Sequence, residues 1–123
     1  MANHFYAYIS RMRCVKRWAL MRNTEEENIQ EHSHMVAVLA HALALIRTRV
    51  FGLPADANAV AVAALYHDAT EILTGDMPTP IKYYNPEIRD AYRKVEAVAS
   101  DKLLSMLPDE LRADCLLYTS DAA

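Results

Sequence analysis

In a few places along this chain, titratable residues stand where the surrounding pattern is apolar. His32 lies near the start of the most apolar segment, and at helical spacing it shares a face with Val36, Leu39 and Leu43. His67 and Asp68 follow directly on the run AVAVAALY, with Glu71 one helical turn beyond His67 on the same face. Asp76 comes next, in a proline-containing segment. Ionisable groups among apolar residues cost free energy unless they are paired or bound to a metal. Two imidazoles and a carboxylate that converge between helices suit a divalent transition metal. A lone histidine on an apolar face is more often a satisfied core residue. The adjacent His67-Asp68 pair therefore carries this reading more than His32 does.

The elements that must position these residues are helical by pattern. His4–Arg13 reads as a short amphipathic helix with Phe5, Ile9 and Met12 on one face, and a polar connector follows over Asn23–Asn28. In Asn28–Thr48, Met35, Leu39, Leu43 and Ile46 recur at helical spacing, with Val38 and Leu45 on another side. A helix apolar on most of its circumference is expected at the centre of a bundle. Gly52 and Pro54 end it. Asp56 or Asn58 caps the next helix, which carries Val60, Ala63, Ala64 and His67 along one face. Asp68–Leu73 continues or restarts it, and Gly75 stops it. The two prolines in Gly75–Pro80 predict an ordered, non-helical loop. Asn85 and Pro86 open a long helix whose expected buried stripe is Ile88, Tyr92, Val95, Val98 and Leu103. Pro108 and Asp109 close it into a short turn, Glu110–Arg112.

Composition bounds the class. The chain has 123 residues, 53% hydrophobic and 24% charged, with only 2 glycines, which fits one soluble all-α domain and not two. The net charge of −3 comes with no long basic stripe, so a nucleic-acid polymer is not an expected partner. Arg11, Arg13, Lys16, Arg17 and Arg22 form a local basic cluster, either a solvated helix end or a pocket for a small anion such as phosphate. The two distant cysteines, Cys14 and Cys115, make no disulfide framework, and Cys14 reads as a small apolar filler. With no signal-peptide pattern and no apolar run of membrane-spanning length, the expectation is a cytoplasmic protein without membrane contact.

Three pieces, RWALMRN (Arg17–Asn23), EHSHMVAVLAHAL (Glu31–Leu43) and YHDATEILTGDMPTPIKY (Tyr66–Tyr83), together resemble the bacterial HD-domain 5'-deoxynucleotidases. The bare HD dipeptide occurs by chance. The combination of RW, EHS, YHDA-x-E and GD-x-PTP-x-K is specific, and the similarity runs from His4 to about Arg112. The resemblance implies an all-α HD-domain helical bundle. It implies one divalent metal (cobalt, manganese, zinc or iron) held by His32, His67 and Asp68, with Glu71 moving a proton. It also implies that Arg17 grips the phosphate of a nucleoside 5'-monophosphate and takes part in catalysis. Trp18 would pack against the nucleoside. Asp76, Met77, Pro78 and Thr79 would form the substrate loop, with Asp76 meeting the sugar and favouring 2'-deoxy forms. A homodimer is implied as well. From the residues alone, Trp18 can equally be a core residue, Arg17 a surface charge and Asp76 a loop cap; His34 and His41 are expected to be structural.

The family's fourth metal ligand, an Asp on a later helix, has no matching residue here, and Asp101, Asp109 and Asp114 remain only by elimination. The ending CLLYTSDAA (Cys115–Ala123) reads as translated sequencing adapter. The expectation is therefore an HD domain over 1–113, incomplete for lack of C-terminal helices and of the fourth ligand, with a non-native tail over 114–123. The rival readings are an HD phosphohydrolase with another nucleotide substrate, and a non-catalytic metal-binding or dimerisation fragment.

Overall fold

A computed structural model describes residues 3–18, 24–77 and 79–115, and the side chain of Thr79 lies outside that description. Among the described residues, seven α-helices follow in chain order: α1 (Phe5–Ile9), α2 (Ile29–Arg49), α3 (Ala57–Tyr66), α4 (Glu71–Thr74), α5 (Thr79–Lys82), α6 (Pro86–Ser105) and α7 (Asp109–Cys115). A 3-10 turn, Ser10–Cys14, extends α1. The all-α expectation is met. The pairing of extended backbone is confined, among the described residues, to one antiparallel bridge between Lys16 and Asn28.

Helix boundaries follow local chemistry. Asn28 accepts a hydrogen bond from the Glu31 N–H and donates from Nδ2 to the Glu31 carboxylate, a reciprocal cap that starts α2. Asp56 caps α3 through the Ala59 N–H, and Asn85 caps α6 through the Ile88 N–H with Pro86 in the first turn. Gly52 (φ 65°) turns the chain after α2, and the Leu53 N–H reaches back to the Arg47 carbonyl.

The core joins the two ends of the described chain. Phe5 of α1, Ala69 after α3, Leu103, Leu104, Met106 and Leu107 at the end of α6, and Cys115 of α7 form one buried cluster, with Tyr8, Ile9 and Tyr66 packed against it. The Phe5 N–H also bonds the Met106 carbonyl. Fully burying a Phe or Leu side chain contributes roughly 1.5–3 kcal/mol, so this cluster is the main anchor.

Several expectations are corrected. α2 is not central: it buries Ile29, Ser33, Ala37 and Ala44 and packs chiefly on α3, leaving Met35, Val38, Leu39, Leu43 and Ile46 exposed, because no described element covers their side. The buried stripe of α6 is Tyr92, Ala99, Leu103 and Leu104; Val95 and Val98 are exposed, lining with Leu73 and Thr74 of α4 an open cleft that no described element fills. The loop predicted over Gly75–Pro80 is non-helical only through Met77, since Thr79 and Pro80 begin α5, where proline's fixed φ and missing donor are tolerated in the first turn. Glu110–Arg112 belongs to a helix rather than a turn, and Arg112 bonds the Leu104 and Leu107 carbonyls to dock it. Cys14 is exposed, not a filler, and Pro78, Met21, Arg22 and the tail from 116 onward lie outside the described residues.

Candidate metal centre

His67 and Asp68 occupy the turn leaving α3. That turn is pinned on both sides: Tyr66 packs on Phe5, with ring centroids 6.3 Å apart, and Ala69 is 0% exposed in the core. His32 comes from the other direction, on the second turn of α2, with its N–H bonded to the Asn28 carbonyl. The His32 and His67 rings face each other at 5.4 Å between centroids. Asp68 Oδ2 lies 3.4 Å from His32 Nε2 and 3.0 Å from His67 Nε2. One donor atom from each of the three residues falls within 4.8 Å of the others, and they are half-buried.

The tautomer follows from a further bond. His67 Nδ1 lies 2.6 Å from the Ala64 carbonyl, which only accepts, so Nδ1 carries the proton. A neutral His67 then points its Nε2 lone pair at a carboxylate oxygen. Such a contact is favourable only if the ring takes a second proton or if a cation lies between the two. The hydrogen bond with Asp68 raises the His67 pKa against the opposing effect of burial. Burial lowers that of His32, aided by the Arg17 charge. For Asp68, burial pushes upward, but the His67 hydrogen bond and the His67, His32 and Arg17 charges together hold it below the ordinary carboxylate value. Two imidazole nitrogens and an ionised carboxylate converging in this way fit a divalent transition metal.

Glu71 opens α4 beside this cluster. Burial, then the charges of Asp68 and Asp76, push its pKa up to about 8, and its Oε2 is buried with no hydrogen-bond partner. Without a metal, burial and these charges thus favour its neutral form near pH 7.

The RW pair is held by two carboxylates. Arg17 Nη1 donates to Glu27 Oε2 at 2.6 Å, and the guanidinium sits 5.0 Å from the centroid of the Trp18 ring. Trp18 is exposed, not core, with φ 61°, and its N–H donates to Asp76 Oδ2 at 2.9 Å. Met77 is exposed at the rim, and Pro78 and the Thr79 side chain lie outside the described residues.

Among the described members of the basic cluster, Arg17 is the one whose charge acts on His32 and Asp68, whereas Arg11 lies over Tyr8, Lys16 pairs with Glu26 and Arg13 is exposed; Arg22 is outside the described residues. His34, His41, Asp101, Asp109 and Asp114 are not in the cluster, and Asp109 pairs with Arg112. Sequence reasoning missed Glu27, which had no signal beyond an acidic run. It also passed over Lys82, the lysine of the proline motif, whose Nζ lies 4.6 Å over the Tyr92 ring and 3.8 Å from Glu96.

Residues 4–121 match a protein-family model described as YfbR-like 5'-deoxynucleotidase. The chain belongs to this family. Similar curated proteins are a 5'-deoxynucleotidase of Vibrio vulnificus (strain YJ016), 56% identical over 91% of this chain and 58% of its own length, and one of Yersinia pestis (strain Pestoides F), 53% identical over 94% and 59%. The chain thus spans less than two thirds of the length of these YfbR-like relatives. A solved HD-domain phosphohydrolase from Listeria innocua superposes with a TM-score of 0.83, covering 100% of this chain and 60% of the other at 24% identity, so the fold is the HD fold.

Proposed function

We propose that this protein is a metal-dependent phosphomonoesterase that hydrolyses nucleoside 5'-monophosphates to nucleoside and phosphate, with a preference for 2'-deoxy forms. The observation that carries the reading is the convergence of His32, His67 and Asp68 beside the carboxyl group of Glu71, whose Oε2 is buried with no hydrogen-bond partner among the described residues. The names of the YfbR-like relatives support the substrate class.

His32, His67 and Asp68 would hold one divalent ion, which supplies Lewis acidity toward the phosphoryl group and toward water. The chain's own residues supply the rest. Arg17 offers a planar fork of donors to phosphate oxygens. As water adds to phosphorus and the bond to the 5' oxygen breaks, Glu71 gives its proton to the departing oxygen, which leaves as the sugar hydroxyl; the proton lost by the attacking water passes to solvent, which reprotonates Glu71 for the next turnover. The Trp18 ring offers a face to the nucleoside, and Asp76, Met77, Pro78 and Thr79 are the proposed sugar-side loop. A site that senses a 2'-hydroxyl discriminates strongly, because a misfit leaves buried polar groups unpaired. Cytoplasmic location and a homodimer complete the proposal; among the described residues no helix is long and apolar enough to cross a membrane.

Phosphate release from dAMP and from AMP, each with cobalt, manganese, zinc or iron(II) added, tests this directly. Release from dAMP exceeding release from AMP supports the reading, and no release with any of the ions sinks it. The exposed apolar side of α2 favours one alternative, a docking module without turnover. Under that reading Glu71→Gln leaves the docking activity unchanged and there is no turnover to lose, whereas under the enzymatic one it lowers turnover steeply and leaves the fold intact.

A further inference from the structure

We infer that Glu27 is a positioning residue for Arg17: it holds one donor of the guanidinium so that the remaining donors face the phosphate of the substrate. The inference rests on the nucleotidase reading for the identity of the anion.

The short antiparallel pairing before α2 places the two residues directly opposite each other. Its bridge joins Lys16 to Asn28, and the bonds on either side run from the Arg17 N–H to the Glu27 carbonyl (2.7 Å) and from the Ile29 N–H to the Val15 carbonyl (2.9 Å). In such a register Arg17 and Glu27 project on one side of the ribbon as a cross-strand pair. The neighbouring pair, Lys16–Glu26, is a useful contrast. At 3.2 Å with side chains 66% and 80% exposed, it is a surface contact of little consequence. Arg17–Glu27 is shorter, at 2.6 Å, half-buried, and tied by backbone as well as side chain.

Only Nη1 of Arg17 is engaged by a side chain among the described residues. A guanidinium has five N–H donors in a planar fork, so fixing one edge orients the other. One face of the fork is covered by the Trp18 ring. The Arg17 charge is felt at both His32 and Asp68, so it lies within electrostatic reach of the metal-ligand cluster. Each member of the RW pair is therefore set by a carboxylate: Trp18 through its backbone N–H by Asp76, and Arg17 through its side chain by Glu27. An arginine left loose would lose side-chain freedom on meeting phosphate, and Glu27 removes that cost beforehand.

Trp18 is the sole tryptophan and reports on the guanidinium stacked upon it. The test compares wild type with Glu27→Gln, Glu27→Asp, Arg17→Ala and the Arg17→Ala/Glu27→Gln double variant. Without ligand, Glu27→Gln should shift the Trp18 emission toward that of Arg17→Ala. Titrated with dAMP, Glu27→Gln should raise KM by roughly tenfold, more than it lowers kcat, consistent with losing a charge-assisted hydrogen bond. Glu27→Asp should recover part of that loss, and the double variant should be no worse than Arg17→Ala. An unchanged emission in Glu27→Gln overturns the positioning role, whether or not the protein turns over. Additive losses in the double variant overturn it too. Failure of wild type to release phosphate with any of the metals, while the emission shift persists, would instead overturn the nucleotidase reading and leave Arg17 held by Glu27 as inferred.

Discussion

His67 and Asp68 sit in a turn whose neighbours, Tyr66 and Ala69, are packed into the core shared by α1, α6 and α7, whereas His32 rides on α2, a helix with Leu39, Leu43 and Ile46 open to solvent. The same cluster is thus built from a firmly anchored half and a more lightly anchored one. On the anchored side, rigid packing fixes the direction of the side chains. On the α2 side, placement depends on packing against α3, on the buried Ile29 and Ser33, on the Asn28–Glu31 cap and on the ribbon that carries Arg17. An ion bound between the two halves would cross-link them, and this can be tested.

The largest expected effect is chemical and lies on the anchored side. Glu71→Gln keeps the shape of α4 but has no proton to give, so kcat should fall by about 10²–10⁴-fold while the circular dichroism spectrum stays the same. A fall of less than about tenfold would remove Glu71 from the proton-transfer role. Next comes packing. Leu103→Ala, at a position 0% exposed, should cost about 2–5 kcal/mol in urea unfolding, while Leu43→Ala, 65% exposed on α2, should stay within about 0.5 kcal/mol. Equal costs at the two positions would mean that the α2 face is covered in solution and would erase the contrast.

Metal addition should join the halves. An ion at about 100 times its Kd adds about 2.7 kcal/mol to the stability of wild type. Calorimetry should show that gain lost in His32→Ala, although the His67-Asp68 turn is intact. If His32→Ala keeps the full gain, the ion does not bridge α2 to the turn. The smallest effect is the pH dependence of the metal-free protein. Glu71 has a folded pKa of about 8 against an ordinary value of 4.5, so the folded state binds the extra proton. Its stabilising contribution is complete below about 4.5, declines as pH rises, and is gone above about 8. Glu71 is partly exposed, so the decline in Tm across this window should be modest, on the order of 4 °C, and Glu71→Gln should flatten it. An identical Tm profile in that variant would show that burial does not perturb the carboxyl group.

Much of this was legible from residue order. The caps at Asp56 and Asn85, the stops at Gly52 and Gly75, and the all-α class follow from local chemistry: a side-chain oxygen for a free N–H, or a backbone that tolerates positive φ. So did the suspicion of His32, His67, Asp68 and Glu71, because titratable groups in apolar runs need a reason. What misled was the assumption that apolar spacing implies burial. Val95 and Val98 keep helical spacing but border an open cleft beside Leu73 and Thr74, and the apolar run of α2 faces solvent over much of its length, since burial depends on which elements arrive on which side.

The candidate ligands His32, His67 and Asp68 and the neighbouring Glu71 stood out in the sequence by itself, as did the helical scaffold, since each depends on side-chain type and short-range spacing; the role proposed for Glu71 came from the family resemblance. Only the tertiary structure decided that His67 presents Nε2, that Glu71 is pushed to a pKa of about 8, and that Glu27 and Asp76 reach across to Arg17 and Trp18. Those properties come from burial and from charges distant in the chain but near in space, and sequence spacing carries no measure of either.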